Sequence, residues 1–347
     1  MAQNERIKRL QQKKHKKRRM LTIIGVPLLV LLLATVSYAG FLYWKAMDTL
    51  NTMPNELENT EDVAEHDVAV GGKTTTKRDK GNISILFMGI DDSMSRNYNS
   101  ATRTDALMLA TFNKKDKSVK LLSIPRDTYT YINAEGKYDK INHAHVFGGV
   151  QGTVDAVESL LEIPVDYYVK MNFYAFIDVI DVLGGIDYEV PFEMHEKDTE
   201  DNHNAIHLNP GMQTLTGEEA LALARTRKYD SDLERGKRQQ EIMKTILAES
   251  ASVGAITKYS QIIDAVGNNM STNLKPNVVN SMFSFATGAN IESLQLDGEN
   301  ARIDGVYYYK PDDTALATLS SSLQQHLGIT LVDGSNTIAA EEVEDKE

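Results

Sequence analysis

The sequence contains no cysteine and only one tryptophan in 347 residues. Without cysteine, the chain forms neither disulfides nor thiolate metal sites, and it has no thiol nucleophile. Basic residues are also in the minority: 37 Lys and Arg stand against 49 Asp and Glu, which gives a formal net charge of -12. Such an acidic chain lacks the basic footprint of a nucleic-acid-binding protein. Any site for an anion must therefore be built by local clustering of basic residues.

A complete phosphate-binding loop is also missing. Gly71-Gly72-Lys73-Thr74 matches the end of that motif, but the glycine required five positions before Gly72 is replaced by Asp67. No apolar strand precedes the segment and no apolar helix follows it. The sequence therefore does not predict a nucleoside triphosphatase of this type.

The N-terminal region has the pattern of a membrane anchor. Residues 1–20 carry nine Lys or Arg and one acid, and residues 21–44 contain no charge. About 20 apolar residues are enough to cross a bilayer, whereas the apolar core of a signal peptide is about 7–15 residues long. The pattern favours a basic cytoplasmic tail (1–20), one uncleaved transmembrane helix (21–44) and an extracellular stalk (45–80).

The rest of the chain predicts an α/β domain over 81–330 and a disordered acidic tail over 331–347. Apolar runs of strand length occur at 83–90, 106–112 and 119–124, and later at 165–171 and 186–190. Helical spacing occurs at 148–162, 173–183, 216–224 and 239–251, and Thr216 with Glu219 forms a capping box. About 265 residues after the stalk can bury a sizeable core without disulfides.

Charged residues follow or precede three of the predicted strands. They are Asp91, the pair Arg103 and Asp105, and the pair Arg126 and Asp127. Ligands of α/β sheets bind at strand ends, and two converging carboxylates suit Mg²⁺ together with phosphate oxygens. Structural ion pairs that frame the sheet explain the same pattern equally well.

Two further segments have alternative interpretations. His143 and His145 alternate as strand neighbours do, which fits a polar cleft lining better than a metal site. The apolar helix 173–183 suits core packing, or the wall of a lipid pocket. The polar loop 191–210, with His195, His203 and His207 among acids, is interpreted as a surface excursion, with adventitious metal binding as the lesser alternative.

Residues 225–238 form the most basic segment outside the N-terminal tail, with four arginines and two lysines in fourteen positions. Arg225 and Arg227 would share a face of an extended segment, and Arg235, Arg238 and Gln239 would share a face of a helix. The planar guanidinium group binds phosphate oxygens through two parallel hydrogen bonds. A solvated helix face is the alternative for such a segment on its own.

In this order, the motifs resemble the LytR-CpsA-Psr family of Gram-positive cell-wall enzymes. The matching pieces between about 83 and 253 are Phe87-Met88-Gly89-Ile90-Asp91, Arg103-Thr104-Asp105, Ser123-Ile124-Pro125-Arg126-Asp127, Lys140-Ile141-Asn142-His143-Ala144, Leu208-Asn209-Pro210-Gly211, Leu215-Thr216-Gly217, and Arg225-x-Arg227 with Asp232-x-x-Arg235-x-x-Arg238-Gln239. The family's fold is an α/β/α sandwich with a long apolar pocket for a polyprenyl chain.

The resemblance implies a membrane-anchored Mg²⁺-dependent phosphotransferase (EC 2.7.8-type), with Mn²⁺ as a possible substitute. Such enzymes move a teichoic acid or a capsular or wall polysaccharide from polyprenyl pyrophosphate to the 6-hydroxyl of N-acetylmuramic acid in peptidoglycan. The implied metal ligands are Asp91 and Asp105, with Arg103 and Arg126 as further catalytic residues. The implied pyrophosphate ligands are Arg225, Arg227, Arg235 and Gln239. Supporting roles fall to Asp127, Lys140, Asn142, Asp232 and Arg238, and the lipid pocket to Phe173, Phe176, Ile177 and Ile180.

Direct attack by the acceptor hydroxyl is expected, because no Ser, Cys or His nucleophile arrangement is visible and pyrophosphate chemistry depends mainly on positioning and charge neutralisation. Asp91, Asp127 or a substrate phosphate could act as the general base. Two rival functions fit the same motifs: a non-catalytic envelope regulator that binds polyprenyl phosphate, and a polyprenyl pyrophosphate hydrolase. The sequence does not identify the polymer.

Overall fold

The computed structural model describes residues 37–38, 40–42, 44–45, 47–57, 69–70, 73–77, 79, 81–90, 102–229, 231–250, 259–267, 269–275, 277–278, 281 and 289–332. The chain divides into two units, residues 1–49 and residues 50–347. The described residues of the first unit are helical. Most of the predicted anchor at 21–44 lies outside the described residues, and no helix within them is both long and apolar enough to cross a bilayer.

The second unit alternates strands and helices. Its strands, in chain order, are β1 (Ala69–Val70), β2 (Lys73–Lys77), β3 (Ile83–Ile90), β4 (Thr104–Asn113), β5 (Ser118–Ile124), β6 (Tyr129–Ile132), β7 (Lys137–Lys140), β8 (Tyr167–Asn172), β9 (Ile186–Val190), β10 (Met194–Glu196), β11 (Ile206–Leu208), β12 (Gly211–Leu215), β13 (Met270–Thr272), β14 (Asn290–Gln295), β15 (Gly298–Ile303), β16 (Val306–Pro311) and β17 (Thr330–Val332). Its helices are α1 (His143–Leu161), α2 (Phe173–Leu183), α3 (Gly217–Arg225), α4 (Asp232–Ser250), α5 (Tyr259–Gly267) and α6 (Asp313–Leu327).

A six-stranded mixed sheet forms the centre, in the order β13-β8-β3-β4-β5-β14. Strands β3, β4 and β5 are antiparallel neighbours, while β8 is parallel to β3 and β14 is parallel to β5. The register places Leu86 opposite Leu109, and Leu109 opposite Leu122. These strands are rich in leucine, isoleucine and methionine because both faces of the sheet are covered.

Side chains of the central strands alternate between two hydrophobic clusters. Leu86 and Leu109 pack on one face with residues of α1 and α6, such as Leu323. Ile85 and Ala110 belong to the cluster on the other face, which Met243 of α4 covers. Because successive strand residues point to opposite faces, this division shows helices on both sides of the sheet. The predicted α/β/α sandwich is confirmed for the described part of the domain.

Helix α4 is fixed to the sheet by a buried amide. Gln240 is 1% exposed, and its Nε2 donates to the carbonyl oxygens of Leu121 (3.1 Å) and Leu294 (2.8 Å). Gly236, one turn earlier, lies so close to β5 that a Cβ there would come within 2.8 Å of Ser123 Oγ. These contacts fix the position of the helix that carries Arg235 and Arg238.

Parts of the predicted stalk and acidic tail belong to the folded unit. Strand β2 pairs with β17, and Glu56 accepts a hydrogen bond from Lys170 Nζ at 2.6 Å. The predicted loop 191–210 contains the β10–β11 hairpin, so its interpretation as a pure excursion is wrong. Near the C-terminal end of the domain, β15 and β16 form a second hairpin, joined at Asp304-Gly305.

Glu158 of α1 provides a pH-dependent test of this packing. Burial raises the pKa of its carboxyl to about 7, against the lowering effect of the Val165 N–H, which donates to Oε1 at 2.7 Å; the charges of Asp155 and Asp166 add smaller increases. Because the folded-state pKa lies above the ordinary value of 4.5, the free energy of unfolding should fall as pH rises from about 4.5 to about 7. Glu158→Gln is expected to raise this free energy at pH 8 by at most about 3 kcal/mol.

Urea unfolding of both proteins at pH 4 and pH 8 measures this effect. The difference between them should nearly vanish at pH 4, where the wild-type carboxyl is protonated in both states. Glu189 is exposed, and Glu189→Gln serves as the matched control, which should leave the free energy of unfolding unchanged at both pH values. Equal stability of Glu158→Gln and wild type at pH 8 would contradict the assignment.

Candidate active site

The candidate site lies at one edge of the central sheet. Strand β3 ends at this edge, and its antiparallel neighbour β4 begins there. Strand β5 ends at the same edge because it is antiparallel to β4, and β8 does so because it is parallel to β3. The edge therefore gathers Arg103, Asp105, Arg126, Asp127 and Phe173. The convergence predicted from the strand ends follows directly from this topology.

Asp127 is the centre of the charged network. Its side chain is 7% exposed; Lys140 Nζ lies 2.9 Å from Oδ1, and Arg227 Nη2 lies 3.2 Å from Oδ2. Arg126 Nε is a further 3.8 Å contact of Oδ2. Burial by itself would raise the pKa of Asp127, but the hydrogen bond and charge of Lys140, together with Arg126 and Arg227, lower it overall. Asp127 is therefore held ionised among three cations.

Asp105 and Arg126 form a second ion pair beside this network. Arg126 Nη1 donates to Asp105 Oδ1, and each side chain is partly exposed. Asp105 Oδ2 accepts no hydrogen bond from any described residue. Arg103 is exposed. The second predicted metal ligand, Asp91, lies outside the described residues.

Four buried polar atoms around this edge have no hydrogen-bond partner among the described residues. They are Thr104 Oγ1, Arg126 Nε, Asn142 Oδ1 and His145 Nε2. Their segments are joined directly, since Asn142 N–H donates to the Arg126 carbonyl at 3.2 Å and His145 Nδ1 lies 2.8 Å from the Thr102 carbonyl. Unpartnered buried polar atoms are uncommon in folded proteins and call for an explanation such as a ligand.

The two histidines of the Lys140–His145 motif lie on a helix, which corrects their interpretation as strand neighbours. Helix α1 begins at His143, after Asn142 as its N-cap. His143 Nδ1 lies 2.8 Å from Asp139 Oδ2, while His145 is buried. Burial lowers the pKa of His145 despite its contact with the Thr102 carbonyl, so its imidazole is neutral at pH 7. His145 is therefore a buried, uncharged side chain next to Thr102 at this edge of the sheet.

Arg225 and Arg227 flank the end of α3 and make different contacts. Arg225 is the last residue of the helix, and its guanidinium carbon lies 4.5 Å from the centre of the Phe173 ring. Thr226 is the C-cap, with an extended ψ of 140°, and Arg227 then turns to Asp127. Both arginines are exposed to solvent at the sheet edge. One contacts the apolar helix α2, and the other belongs to the charged network.

The remaining polar residues of the basic segment bind protein atoms. Arg238 is buried, and it donates to the carbonyl oxygens of Leu223 (2.7 Å) and Thr226 (3.1 Å). Gln239 donates to the Ala224 carbonyl at 3.1 Å, and Arg235 is only 5% exposed. Arg238 and Gln239 therefore satisfy carbonyl groups that the end of α3 leaves unpaired. Asp232 begins α4, and its side chain lies outside the described residues.

Arg238 is thus predicted to position Arg225 and Arg227 by binding backbone carbonyl groups at the end of α3. Arg238→Ala would leave two carbonyl groups of buried residues without their donor, at a cost of about 1–3 kcal/mol each. We expect the free energy of unfolding to fall by about 2–4 kcal/mol, as measured by urea denaturation. Lys237→Ala, which removes an exposed neighbour paired with Glu234, should change it by less than about 1 kcal/mol. Equal stability of both variants would contradict the positioning role.

The four predicted lipid-pocket residues all lie on α2 but differ in environment. Phe173 and Ile177 are buried in a small cluster with Leu221 of α3, against which Phe176 packs. Ile180 is fully buried in a larger cluster that joins α2, α3 and α4. Gly217 allows the helices to approach closely, since a Cβ there would lie 2.4 Å from the Ile177 carbonyl oxygen. The α2 surface nearest the site is therefore the part around Phe173 and Phe176.

Glu196 of β10 was not predicted from the sequence and also supports the site. Its side chain accepts hydrogen bonds from Thr226 Oγ1 at 2.6 Å and from Lys228 Nζ at 2.9 Å. The backbone N–H of the preceding residue, His195, donates to Tyr229 Oη at 3.0 Å. The β10–β11 hairpin therefore holds both residues that flank Arg227. No sequence motif links these distant segments.

Comparisons with known proteins identify the relatives of this chain. It is 43% identical over 256 residues to the Bacillus subtilis (strain 168) polyisoprenyl-teichoic acid–peptidoglycan teichoic acid transferase TagT, covering 72% of this chain and 78% of that one. It is 36% identical over 326 residues to the Bacillus licheniformis transferase TagU, covering 92% and 99%. An uncharacterized Staphylococcus aureus protein is 39% identical, covering 73% of this chain and 64% of its own length.

A solved structure extends the likeness to three dimensions. The LytR-CPS2A-psr family protein YwtF (TagT) with bound octaprenyl pyrophosphate lipid superposes with a TM-score of 0.61 at 35% identity, covering 79% of this chain and 99% of that one. The LytR_cpsA_psr family model matches residues 41–325, which include every described site residue. The resemblance seen in the motifs is thereby confirmed, and this chain belongs to the LytR-CpsA-Psr family.

Proposed function

We propose that this protein transfers a glycopolymer from a polyprenyl pyrophosphate carrier to the 6-hydroxyl of N-acetylmuramic acid in peptidoglycan. The observation that carries the proposal is the network of Arg126, Lys140 and Arg227 around one buried carboxylate, Asp127, at one edge of the central sheet. Such a cluster of cations in an acidic chain suits a diphosphate group. The names of TagT and TagU, which are polyisoprenyl-teichoic acid–peptidoglycan transferases, support the same reaction.

Such a donor has a charged diphosphate group and an apolar polyprenyl chain, and the site has side chains suited to each. Arg225 bridges the charged edge and the apolar helix α2 through its contact with the Phe173 ring. A polyprenyl chain would lie along the surface near Phe173 and Phe176, with its diphosphate at Arg225, Arg227 and Arg103. The YwtF structure, whose bound ligand is octaprenyl pyrophosphate, supports this class of donor. In this proposal Arg225 contacts both the diphosphate and the Phe173 ring, and Arg227 contacts the diphosphate.

In the proposed reaction, the acceptor oxygen attacks the phosphorus atom that carries the polymer. The bond between this phosphorus and the bridging oxygen breaks, so that a phosphodiester forms and polyprenyl phosphate leaves. The hydroxyl proton passes to a base. Asp127 suits this last role poorly, since its lowered pKa makes it a weak proton acceptor. Its role is to orient Lys140 and Arg227, which leaves Asp91 or a substrate phosphate as the base.

Of the two predicted Mg²⁺ ligands, Asp105 lies among the described residues, and its environment suits the ion. Asp105 offers a partly exposed carboxylate whose Oδ2 has no partner among the described residues, which is the hard oxygen ligand that Mg²⁺ prefers. Asp105 and Asp91 would hold Mg²⁺, or Mn²⁺ in its place. When bound, the ion would neutralise charge on the diphosphate. Arg126 keeps Asp105 oriented through its hydrogen bond to Oδ1.

We place the protein in the cell membrane of a Gram-positive bacterium, with one transmembrane helix at 21–44. The basic tail would be cytoplasmic and the folded unit extracellular. This topology keeps the active site beside the outer leaflet, where a lipid-linked donor is anchored. It also accounts for the distribution of charge, since the nine basic residues of the tail lie on the side opposite an acidic external domain.

Release of polyprenyl phosphate tests the proposal. The full chain in detergent would be incubated with Mg²⁺ and a polyprenyl-pyrophosphate-linked glycan, with and without peptidoglycan oligomers, and the lipid product quantified by chromatography. Release that requires peptidoglycan is the expected result. Equal release without peptidoglycan would show a hydrolase, and tight lipid binding without release in either case would show a binding protein.

A further inference from the structure

Five tyrosines from three strands converge beside the charged network and form what we call the tyrosine platform: Tyr129, Tyr131, Tyr138, Tyr307 and Tyr308. The ring of Tyr129 stacks on that of Tyr138 at a centroid distance of 5.2 Å and contacts that of Tyr308 edge-on at 5.0 Å. Tyr131 and Tyr138 are cross-strand partners at 5.4 Å. Tyr138 is 58% exposed and Tyr131 is 38% exposed. Large aromatic rings are thus presented to solvent from a rigid support.

Lys140 connects the platform directly to the proposed active site. Its Nζ lies 5.7 Å from the ring centres of both Tyr307 and Tyr308. The same atom lies 2.9 Å from Asp127 Oδ1, and Asp127 in turn pairs with Arg227. A molecule bound on the tyrosine rings would therefore lie close to the proposed diphosphate site, with Lys140 and Asp127 between the two.

Acidic side chains border the platform. Tyr308 Oη donates to Asp139 Oδ1 at 3.4 Å, and Glu135 is paired with Lys137 at 2.7 Å. Lys140 contacts Asp127, a carboxylate that it shares with Arg126 and Arg227. On the rings themselves a neutral sugar chain can present apolar C–H faces to the rings and hydroxyls to the phenols, whereas the paired charges of Glu135 and Lys137 offer little to a polyanionic polymer.

We propose that the tyrosine platform binds the glycan strand of peptidoglycan and presents its hydroxyl to the diphosphate. This inference rests on the proposed function, because it identifies the surface that receives the acceptor. The alternative is that the tyrosines only stabilise the β6–β7 hairpin through cross-strand pairing, which contributes about 0.2–1 kcal/mol per pair. Exposure of Tyr138 separates the two roles, because a ring with more than half its surface in water contributes little to folding.

Direct binding tests the platform without requiring turnover. Binding of a peptide-free N-acetylglucosamine–N-acetylmuramic acid tetrasaccharide to the full chain would be measured by calorimetry for wild type, Tyr138→Ala, Tyr138→Phe and Met212→Ala. We expect Tyr138→Ala to weaken binding about tenfold. Tyr138→Phe should retain most of the affinity because the ring remains. Met212→Ala removes an exposed apolar side chain elsewhere and should have no effect.

Thermal unfolding and donor binding complete the test. Tyr138→Ala should keep its unfolding temperature within a few degrees and its affinity for the lipid-linked donor within twofold. Unchanged tetrasaccharide affinity would overturn the inference, and so would weakened donor binding in its place. Tyrosine-dependent tetrasaccharide binding in a wild-type protein that transfers nothing would refute the proposed function and leave the platform standing.

A candidate metal site lies at the β10–β11 hairpin. Glu193, directly before β10, and the strand residues His195 and His207 have three ligand atoms within 4.8 Å of one another. Glu193 Oε1 lies 3.4 Å from His195 Nε2 and 3.3 Å from His207 Nε2. Four ligands at about 2.0–2.1 Å from a tetrahedral zinc ion are about 3.3–3.4 Å apart, so both distances match. The two rings are cross-strand partners and stack nearly parallel at 4.1 Å, so one ring must rotate before both Nε2 atoms face the same ion.

We infer that these three residues form a surface site for a transition-metal ion of the Zn²⁺ class, with water as the fourth ligand. Imidazole and carboxylate ligands suit Zn²⁺ and its neighbours in the first transition series. A bound ion would tie β10 to β11 and stiffen the hairpin. Since Glu196 of the same hairpin contacts Thr226 and Lys228, the ion would also stabilise the segment that carries Arg227.

Zn²⁺ titration of the full chain by calorimetry tests this second site. We expect one site of micromolar affinity and a rise in unfolding temperature on saturation. His195→Ala and His207→Ala should each weaken binding at least tenfold, while His203→Ala, in the same exposed connection, should not. Millimolar affinity, or equal effects of all three histidine variants, would show adventitious surface binding and overturn the inference.

Discussion

Replacing Arg227 with alanine is expected to lower the rate of polymer transfer by about 10²–10³, as is typical when a preorganised donor at the reacting group is lost. Arg227 is the exposed arginine that contacts Asp127, so its removal takes positive charge from the proposed diphosphate site. Its side chain is 39% exposed, and the cost in unfolding free energy should be about 1 kcal/mol or less. Steady-state transfer assays with the full chain measure the loss.

Two companion variants make the interpretation specific. Arg227→Lys keeps one positive charge but not the planar fork, so its rate should fall between wild type and alanine. Lys237→Ala removes a nearby, more exposed cation, which pairs with Glu234, and should retain a rate within a few-fold of wild type. Equal losses at both positions would indicate a general charge effect and would exclude a specific role for Arg227.

Asp127→Asn is expected to impair both stability and turnover. The isosteric amide removes the negative charge that Lys140, Arg126 and Arg227 share, and breaking a buried ion pair from one side costs about 3–5 kcal/mol in other proteins. The amide oxygen can still accept one hydrogen bond, so we expect a loss of about 2–3 kcal/mol at pH 7. Transfer should fall at least tenfold because Lys140 and Arg227 lose the carboxylate charge that orients them.

The pH dependence distinguishes this loss from a packing defect. The folded-state pKa of Asp127 is lowered, so its ionised carboxylate stabilises the fold fully above the unfolded value of about 3.9. This contribution disappears as pH falls through the folded-state pKa. Urea unfolding should therefore show a wild-type advantage at pH 7 that shrinks below pH 4. The exposed Asp178→Asn should show no difference at any pH, and a constant Asp127→Asn deficit would contradict the electrostatic explanation.

Long apolar segments were predictable from the sequence, whereas short or two-residue patterns were not. Strand 83–90, helix 173–183 and strand 186–190 agree with the structure. Each has enough residues to distinguish a period of 2.0 from one of 3.6. The alternation of His143 and His145 spans only two positions, and the three-residue strands of the β10–β11 hairpin are equally short.

One missed feature did have a signal. Asp304-Gly305, with φ of 51° and 80°, is the Asp-Gly pair that favours a tight hairpin turn between two strands. That turn joins β15 to β16 and brings Tyr307 and Tyr308 to the site.

The basic segment shows where sequence reasoning about a site stops. Helical spacing correctly placed Arg235, Arg238 and Gln239 on one helix, but it could not tell which of them faces the end of α3. Arg238 and Gln239 bind carbonyl oxygens there, and contacts with such distant backbone atoms leave no trace in spacing. The same holds for Asp127, whose three cations come from separate segments of the chain. Their direct roles toward a pyrophosphate group stay predictions, as does that of Asp91.

The most direct test of the central claim is mass spectrometry of the peptidoglycan product. The full chain in detergent would be incubated with Mg²⁺, a polyprenyl-pyrophosphate-linked glycan and peptidoglycan oligomers, and the muramic acid residues then fragmented. We expect a glycan joined through a phosphodiester to the 6-hydroxyl, formed about 10²–10³ times more slowly by Arg227→Ala. Phosphorylated glycan released free in solution, or the donor bound and recovered intact across several glycans, would contradict it.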